Sequence, residues 1–119
     1  MNPLDLDEVR DFLGKFAADR DWEQYHNPKN LAMALAAEAG ELLEVFQWLT
    51  PQQSRELTDE QRRAVADEMA DVLQYLVRLA NVVSIDLAEE LWRKLRENEA
   101  RFPPISQLGG RPRPDPPVG

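Results

Sequence analysis

Three helix starts are written into this chain of 119 residues, and they leave little room for any other architecture. Asn27-Pro28 is a capping side chain followed by a first-turn proline. Thr58-Asp59-Glu60-Gln61 is a capping box, and Asp86-Leu87-Ala88-Glu89 repeats it with Asp as the cap. Ahead of these, Val9, Phe12, Leu13, Phe16 and Ala17 recur at helical spacing behind an acidic start, Asp5 to Glu8. No segment alternates apolar and polar residues between turn signals. The chain reads as all-α, a four-helix bundle. Its second helix runs from the Asn27 cap to Pro51, and its third from the Thr58 cap to about Ser84. Its fourth opens at Asp86 and is stopped by Pro103-Pro104. Six of the nine prolines and three of the five glycines lie beyond Phe102. Residues 1–103 are therefore expected to fold, and 104–119 to form an extended, flexible tail.

Four helices of this length make a thin core for a chain standing alone. The second and third are apolar over much of their circumference, with Met33, Leu43, Leu73 and Val77 on the back. Helices apolar all round are normally buried on more than one side. The expectation is an oligomer, at least a dimer.

The position of the acids is the informative feature. With Glu38 at zero on a helical wheel, Leu31, Leu35, Leu42, Val45 and Leu49 fall within roughly 60° of it. Glu38 thus occupies the middle of an apolar stripe, and Glu41 lies one turn on at its edge. The third helix repeats this with Glu68, among Val65, Val72, Leu76 and Leu79, and with Asp71 at the edge. Burying ionised carboxylates together is costly unless they are protonated, paired with cations or bound to a metal. The basic residues of these helices, Lys29, Arg62, Arg63 and Arg78, lie mostly near ends or off this face. For one Glu-x-x-Glu, half-exposed surface acids are the plainer reading. Two pairs of matching phase inside apolar stripes favour a site, and an all-oxygen set suits Mg²⁺, with Mn²⁺ next. Gly40 costs about 1 kcal/mol against alanine in a helix interior, so a close approach by a neighbouring helix is expected there.

Composition now excludes several alternatives. There is no cysteine and one histidine, His26, so thiolate zinc sites, thiol nucleophiles and Glu-x-x-His di-metal motifs are out. With 22 acidic against 14 basic residues, the net charge of −8 disfavours a nucleic-acid polymer as partner. No stretch approaches the roughly 18 apolar residues of a membrane span. The N-terminus lacks a signal peptide's basic and apolar regions, and the cytoplasm is the expected compartment.

Around the acids stand aromatic and basic residues. Trp22, Tyr25 and His26 fill the connection between the first two helices, a set able to stack on a nucleobase or to plug the bundle end. Trp48 sits at the stripe edge on Glu41's side, and Tyr75 falls angularly between Glu68 and Asp71. On the fourth helix Lys94 and Asn98, one turn apart, form a pair able to hold phosphate oxygens.

Glu38-Ala-Gly-Glu41-Leu-Leu-Glu-Val-Phe-Gln-Trp48, followed by Glu68-Met-Ala-Asp71-Val-Leu-Gln-Tyr75, resembles the MazG-like all-α nucleotide pyrophosphohydrolases. Within them it is most similar to the small dCTP pyrophosphatase group. The stretches from Phe16 to His26 and from Lys94 to Pro103 extend the resemblance over roughly residues 6–103. The resemblance implies a dimer of dimers that uses Mg²⁺ to split a nucleoside triphosphate into monophosphate and pyrophosphate. It assigns metal-ligand and catalytic roles to Glu38, Glu41, Glu68 and Asp71, and phosphate contacts to Lys94 and Asn98. It assigns base contacts to Trp22, His26, Trp48 and Tyr75. One departure is Leu13, where the vertebrate cytosine-preferring enzymes carry a pocket histidine, which bears on base preference and not on the chemistry. The rival from another class is a non-catalytic helical module that binds a nucleotide or a partner through the same face.

Overall fold

A computed structural model of the chain describes residues 3–107, and among them every regular element is helical. Helix α1 spans Leu6–Asp19, α2 Pro28–Phe46, α3 Pro51–Arg55, α4 Asp59–Val82 and α5 Leu87–Arg101, followed by a 3-10 turn at Ile105–Gln107. Most of the expected tail, 104–119, lies outside the described residues.

Each predicted start is a working cap. Asn27 Oδ1 accepts from the Asn30 amide at 2.9 Å, and Asp86 Oδ1 from the Glu89 amide at 3.1 Å. Thr58 and Gln61 bond each other's backbone amides reciprocally. Such caps are worth about 1 kcal/mol each.

Two details differ from the sequence reading. The second helix stops at Phe46, short of Pro51, and the five-residue α3 follows with its own capping box between Thr50 and Gln53. Apolar residues continue past Phe46 through Trp48 and Leu49, so the periodic pattern overran the helix end. Four long helices remain, with α3 an added turn in the link between α2 and α4.

Contacts divide the chain into two compact units, one ending at Ile85 and the other starting at Asp86. In the first, α4 packs chiefly along α2 and, over a shorter stretch, against α1. Among the described residues the buried apolar side chains are few: Ala17, Leu31, Val77 and Ala80. Val77, on the back of its helix, is buried as helices apolar all round require, because α4 is covered by two helices. Leu73 is half-buried, while Met33 and Leu43 are exposed. A Cβ placed on Gly40 would meet nothing within 4 Å, so no helix among the described residues makes the close approach expected there.

Both α1 and α4 end in a Schellman turn closed by a residue other than glycine. At α1 the Trp22 amide reaches Ala17 O and the Asp21 amide reaches Ala18 O, with Asp21 at φ 55°. At α4 the Ile85 amide reaches Ala80 O and the Ser84 amide Asn81 O, with Ser84 at φ 59°. The first turn folds Trp22 back over the end of α1. No helix among the described residues is long and apolar enough to cross a membrane.

The second unit contains α5 and the 3-10 turn. Its long helix is laced by ion pairs of Arg93 with Glu90 and Glu97 and of Lys94 with Glu97, while Leu91, Trp92 and Leu95 are exposed.

Candidate active site

Helices α2 and α4 run alongside each other, so the acid at the centre of each stripe faces the other. Carboxylate oxygens of Glu38, Glu41 and Glu68 lie within 4.8 Å of one another. Glu38 and Glu68 are half-buried, and each has one oxygen, Oε2, sealed from solvent with no hydrogen-bond partner. Glu41 is exposed at the rim. Asp71 stands outside this tight trio; it is half-buried, near enough to repel Glu38 and Glu68, and held by Gln74 Nε2 at 3.4 Å.

The electrostatics follow from this crowding. Burial, then crowding by the Glu41 and Glu68 carboxyls and repulsion from Glu41 and Asp71, pushes the Glu38 carboxyl up to about 7. Glu68 is raised as well, chiefly by burial. An orphaned buried oxygen is costly, and two facing each other have no protein donor to satisfy them. A hard divalent cation fits this all-oxygen donor set.

Beside the trio opens a cleft of about 330 Å³. Glu38 and Asp71 form its acidic side, and Leu13, Phe16, Trp22 and Tyr75 supply apolar and aromatic walls. The aromatic wall is ordered: Phe16 and Trp22 meet edge-to-face at 5.6 Å between centroids, and the Trp22 and His26 rings lie 6.1 Å apart. The loop carrying them is pinned by Tyr25 and His26 amides bonding back to Trp22 O, and by Asn30 Nδ2 on Tyr25 O.

Of the expected base-contacting residues, Trp22, His26 and Tyr75 line the cleft. Trp48 does not; it lies past the end of α2, 86% exposed, so the wheel phase assigned to it does not apply. Lys94 and Asn98 belong to the second unit, where Lys94 Nζ sits 3.3 Å from Glu97 and holds that carboxyl below its usual range. Asn98 is half-buried, and its carbonyl accepts from the Phe102 amide.

The sequence reading missed two polar residues of the cleft, Gln74 and Arg78. Arg78 had been placed off the acidic face; it is buried and its Nε donates to His26 Nδ1 at 3.1 Å. The available signal was spacing, since Arg78 follows Asp71 by two helical turns and Tyr75 by one.

The MazG-like family pattern matches residues 33–108, which includes all four acids. The chain belongs to the MazG-like family. It is 42% identical to dCTP pyrophosphatase 1 of Homo sapiens and 40% to that of Bos taurus, over 82% of this chain in each case. The chain spans about three-fifths of those relatives' length, the matched 100 residues being 59% of each. The crystal structure of a pyrophosphatase from Archaeoglobus fulgidus superposes with a TM-score of 0.78 at 37% identity, covering 87% of this chain and 97% of that one.

Proposed function

We propose that this MazG-like chain is a divalent-cation-dependent nucleoside triphosphate pyrophosphohydrolase. It takes dCTP or a modified dCTP to the monophosphate and pyrophosphate, as a sanitiser of the nucleotide pool. The observation that carries this reading is the pair of buried, unpartnered oxygens on Glu38 and Glu68 beside an aromatic-walled cleft. The names of the mammalian relatives support the choice of base. The donor chemistry supports Mg²⁺, with Mn²⁺ next.

Glu38, Glu41 and Glu68 would hold the cation, with Asp71 completing the set. When bound, Mg²⁺ neutralises the triphosphate and polarises its α-phosphorus. The hydrolysis forms one bond, from a water oxygen to the α-phosphorus, and breaks the bond from that phosphorus to the bridging oxygen. Pyrophosphate leaves with the bridging oxygen, and the water's proton passes to the carboxylate of Glu38 or Glu41. Trp22 and Tyr75 flank the base, with His26 at its edge. Lys94 and Asn98 contact phosphate oxygens, and Lys94 steadies the charge developing on the departing pyrophosphate. Beside its Glu97 contact, the Lys94 ammonium keeps further N–H donors for this role.

The same reading takes the chain to be a homotetramer, a dimer of dimers, in which Trp48 serves the cleft of a neighbouring subunit. Exposed Met33 and Leu43 on α2 support burial against another copy. Its compartment would be the cytoplasm.

Incubation with each dNTP and Mg²⁺, with pyrophosphate measured against orthophosphate, tests the activity. Pyrophosphate release that Glu38→Ala abolishes is the expected result. No turnover by the folded protein on any nucleotide would leave a non-catalytic binding module ahead. Light scattering tests the assembly, and a monomeric mass would overturn it.

A further inference from the structure

We propose that Arg78 reads the base: it fixes the tautomer of His26, and the two side chains together form a cleft wall made only of hydrogen-bond donors. Among pyrimidines such a wall selects cytosine over uracil or thymine. The proposal rests on the cleft being a nucleoside site, as the hydrolase reading has it.

Arg78 is 8% exposed near the C-terminal end of α4, yet no carboxylate lies within ion-pair distance among the described residues. Its one side-chain hydrogen bond there runs from Nε to His26 Nδ1, 52 positions away in sequence. A guanidinium never gives up its proton in a protein, so it remains an all-donor group. A buried charge without a counter-charge is strongly destabilising unless something else satisfies it.

The remaining donors have somewhere to go. The only sealed, unpartnered side-chain atoms among the described residues are on Glu38 and Glu68, so the terminal nitrogens of Arg78 are not closed off. They belong to a residue that lines the cleft, and one of them lies 3.8 Å from where a Cβ on Gly14 would stand. The guanidinium therefore lies against α1 at Gly14.

His26 completes the wall. Because Nδ1 accepts the Arg78 N–H, that nitrogen carries no proton, and a neutral ring must carry it on Nε2. Burial, and then the Arg78 charge, lower the tendency of His26 to protonate. The free edge of the ring is therefore an N–H donor. Cytosine offers adjacent acceptors, its ring N3 and its 2-oxo group. Uracil and thymine carry a hydrogen on N3, which would face a donor and leave both unsatisfied.

Calorimetric titration of the full chain with dCMP and with dUMP, each with Mg²⁺, measures the effect without turnover. The wild type is expected to bind dCMP on the order of tenfold or more tightly than dUMP. Arg78→Met, which keeps the stem, should bring the ratio close to one by weakening dCMP alone, and Arg78→Lys should restore part of it. Equal losses for both nucleotides, an unchanged ratio, or no discrimination or no binding by the wild type would overturn the proposal. His26 is the only histidine, so its ring nitrogens are unambiguous in a long-range ¹H–¹⁵N spectrum. At neutral pH Nδ1 should appear unprotonated and Nε2 protonated in the wild type, with the two averaging in Arg78→Met. A wild-type ring protonated on Nδ1 overturns the proposal even if Arg78→Met does not fold. In that event His26→Phe, which keeps a ring against Trp22, supplies the binding ratio, which should also fall. Failure to release pyrophosphate would count against the hydrolase and leave the dCMP-to-dUMP ratio to decide this proposal separately.

Discussion

Two positions along α4 break the same rule with opposite sign. Among the described residues, Glu68 belongs to a knot of carboxylates with no cation paired to them, and Arg78, about 15 Å along the axis, is a buried cation with no carboxylate beside it. Buried charges are ordinarily paired, and pairing these two with each other would have satisfied both. Keeping them apart leaves the acidic end short of positive charge and the basic end short of acceptors. A ligand that brings a divalent cation to one end and a ring with lone pairs to the other satisfies both at once. That complementarity is what separates this cleft from a solvated groove, and removing the charge at either end tests it.

The largest effect is expected at the acidic end. Glu68→Gln and Glu38→Gln should each lower pyrophosphate release on the order of 10²–10³-fold or more, the scale of losing one well-placed electrostatic group. In the absence of divalent cations the same variants should melt at a higher temperature than the wild type, because an uncharged amide relieves the repulsion among Glu38, Glu41 and Glu68. A fall in both activity and cation-free melting temperature would mark these acids as structural and erase the contrast with Arg78.

A smaller effect follows from pH. The Glu38 carboxyl is raised above its unfolded value to about 7. Its contribution to stability is therefore fully present below the ordinary glutamate range and is lost as pH rises through about 7. The cation-free chain should lose melting temperature between pH 5.5 and pH 8, and the loss should shrink in Glu38→Gln. Binding a cation displaces the proton, so Mg²⁺ should raise the melting temperature more at pH 8 than at pH 5.5. Thermal melts with Mg²⁺ and with a chelator at both pH values check this, and an equal Mg²⁺ shift at the two would contradict it.

What the sequence disclosed divides along a physical line. The caps at Asn27, Thr58 and Asp86 were legible because each closes its hydrogen bond within three residues. The stripe positions of Glu38 and Glu68 were legible because helical phase is also local. Periodicity could not tell which acids come within touching distance, so the expected set of four became a trio with Asp71 alongside. It also carried α2 past Phe46, since Trp48 and Leu49 keep the apolar rhythm after the backbone has left the helix. Arg78 was the largest omission. Its partner His26 is fixed by the way α1, the following loop and α4 meet, which no spacing rule encodes.

The smallest expected effect leaves both charges in place and measures the scaffold that holds them. Ser84 closes α4 in the left-handed region at φ 59°, where a Cβ costs on the order of 1 kcal/mol. Ser84→Gly removes that cost while keeping the bonds from the Ile85 amide to Ala80 O and from the Ser84 amide to Asn81 O. Glycine's greater freedom in the unfolded chain offsets part of the gain, so chemical denaturation should register a rise of about 0.5 kcal/mol. Asp21→Gly tests the equivalent turn at α1, next to Trp22. If the cleft depends on where that turn places Trp22, Asp21→Gly should change dCMP affinity while Ser84→Gly does not. Equal shifts in affinity for the two variants would mean that the aromatic wall is insensitive to its own hinge.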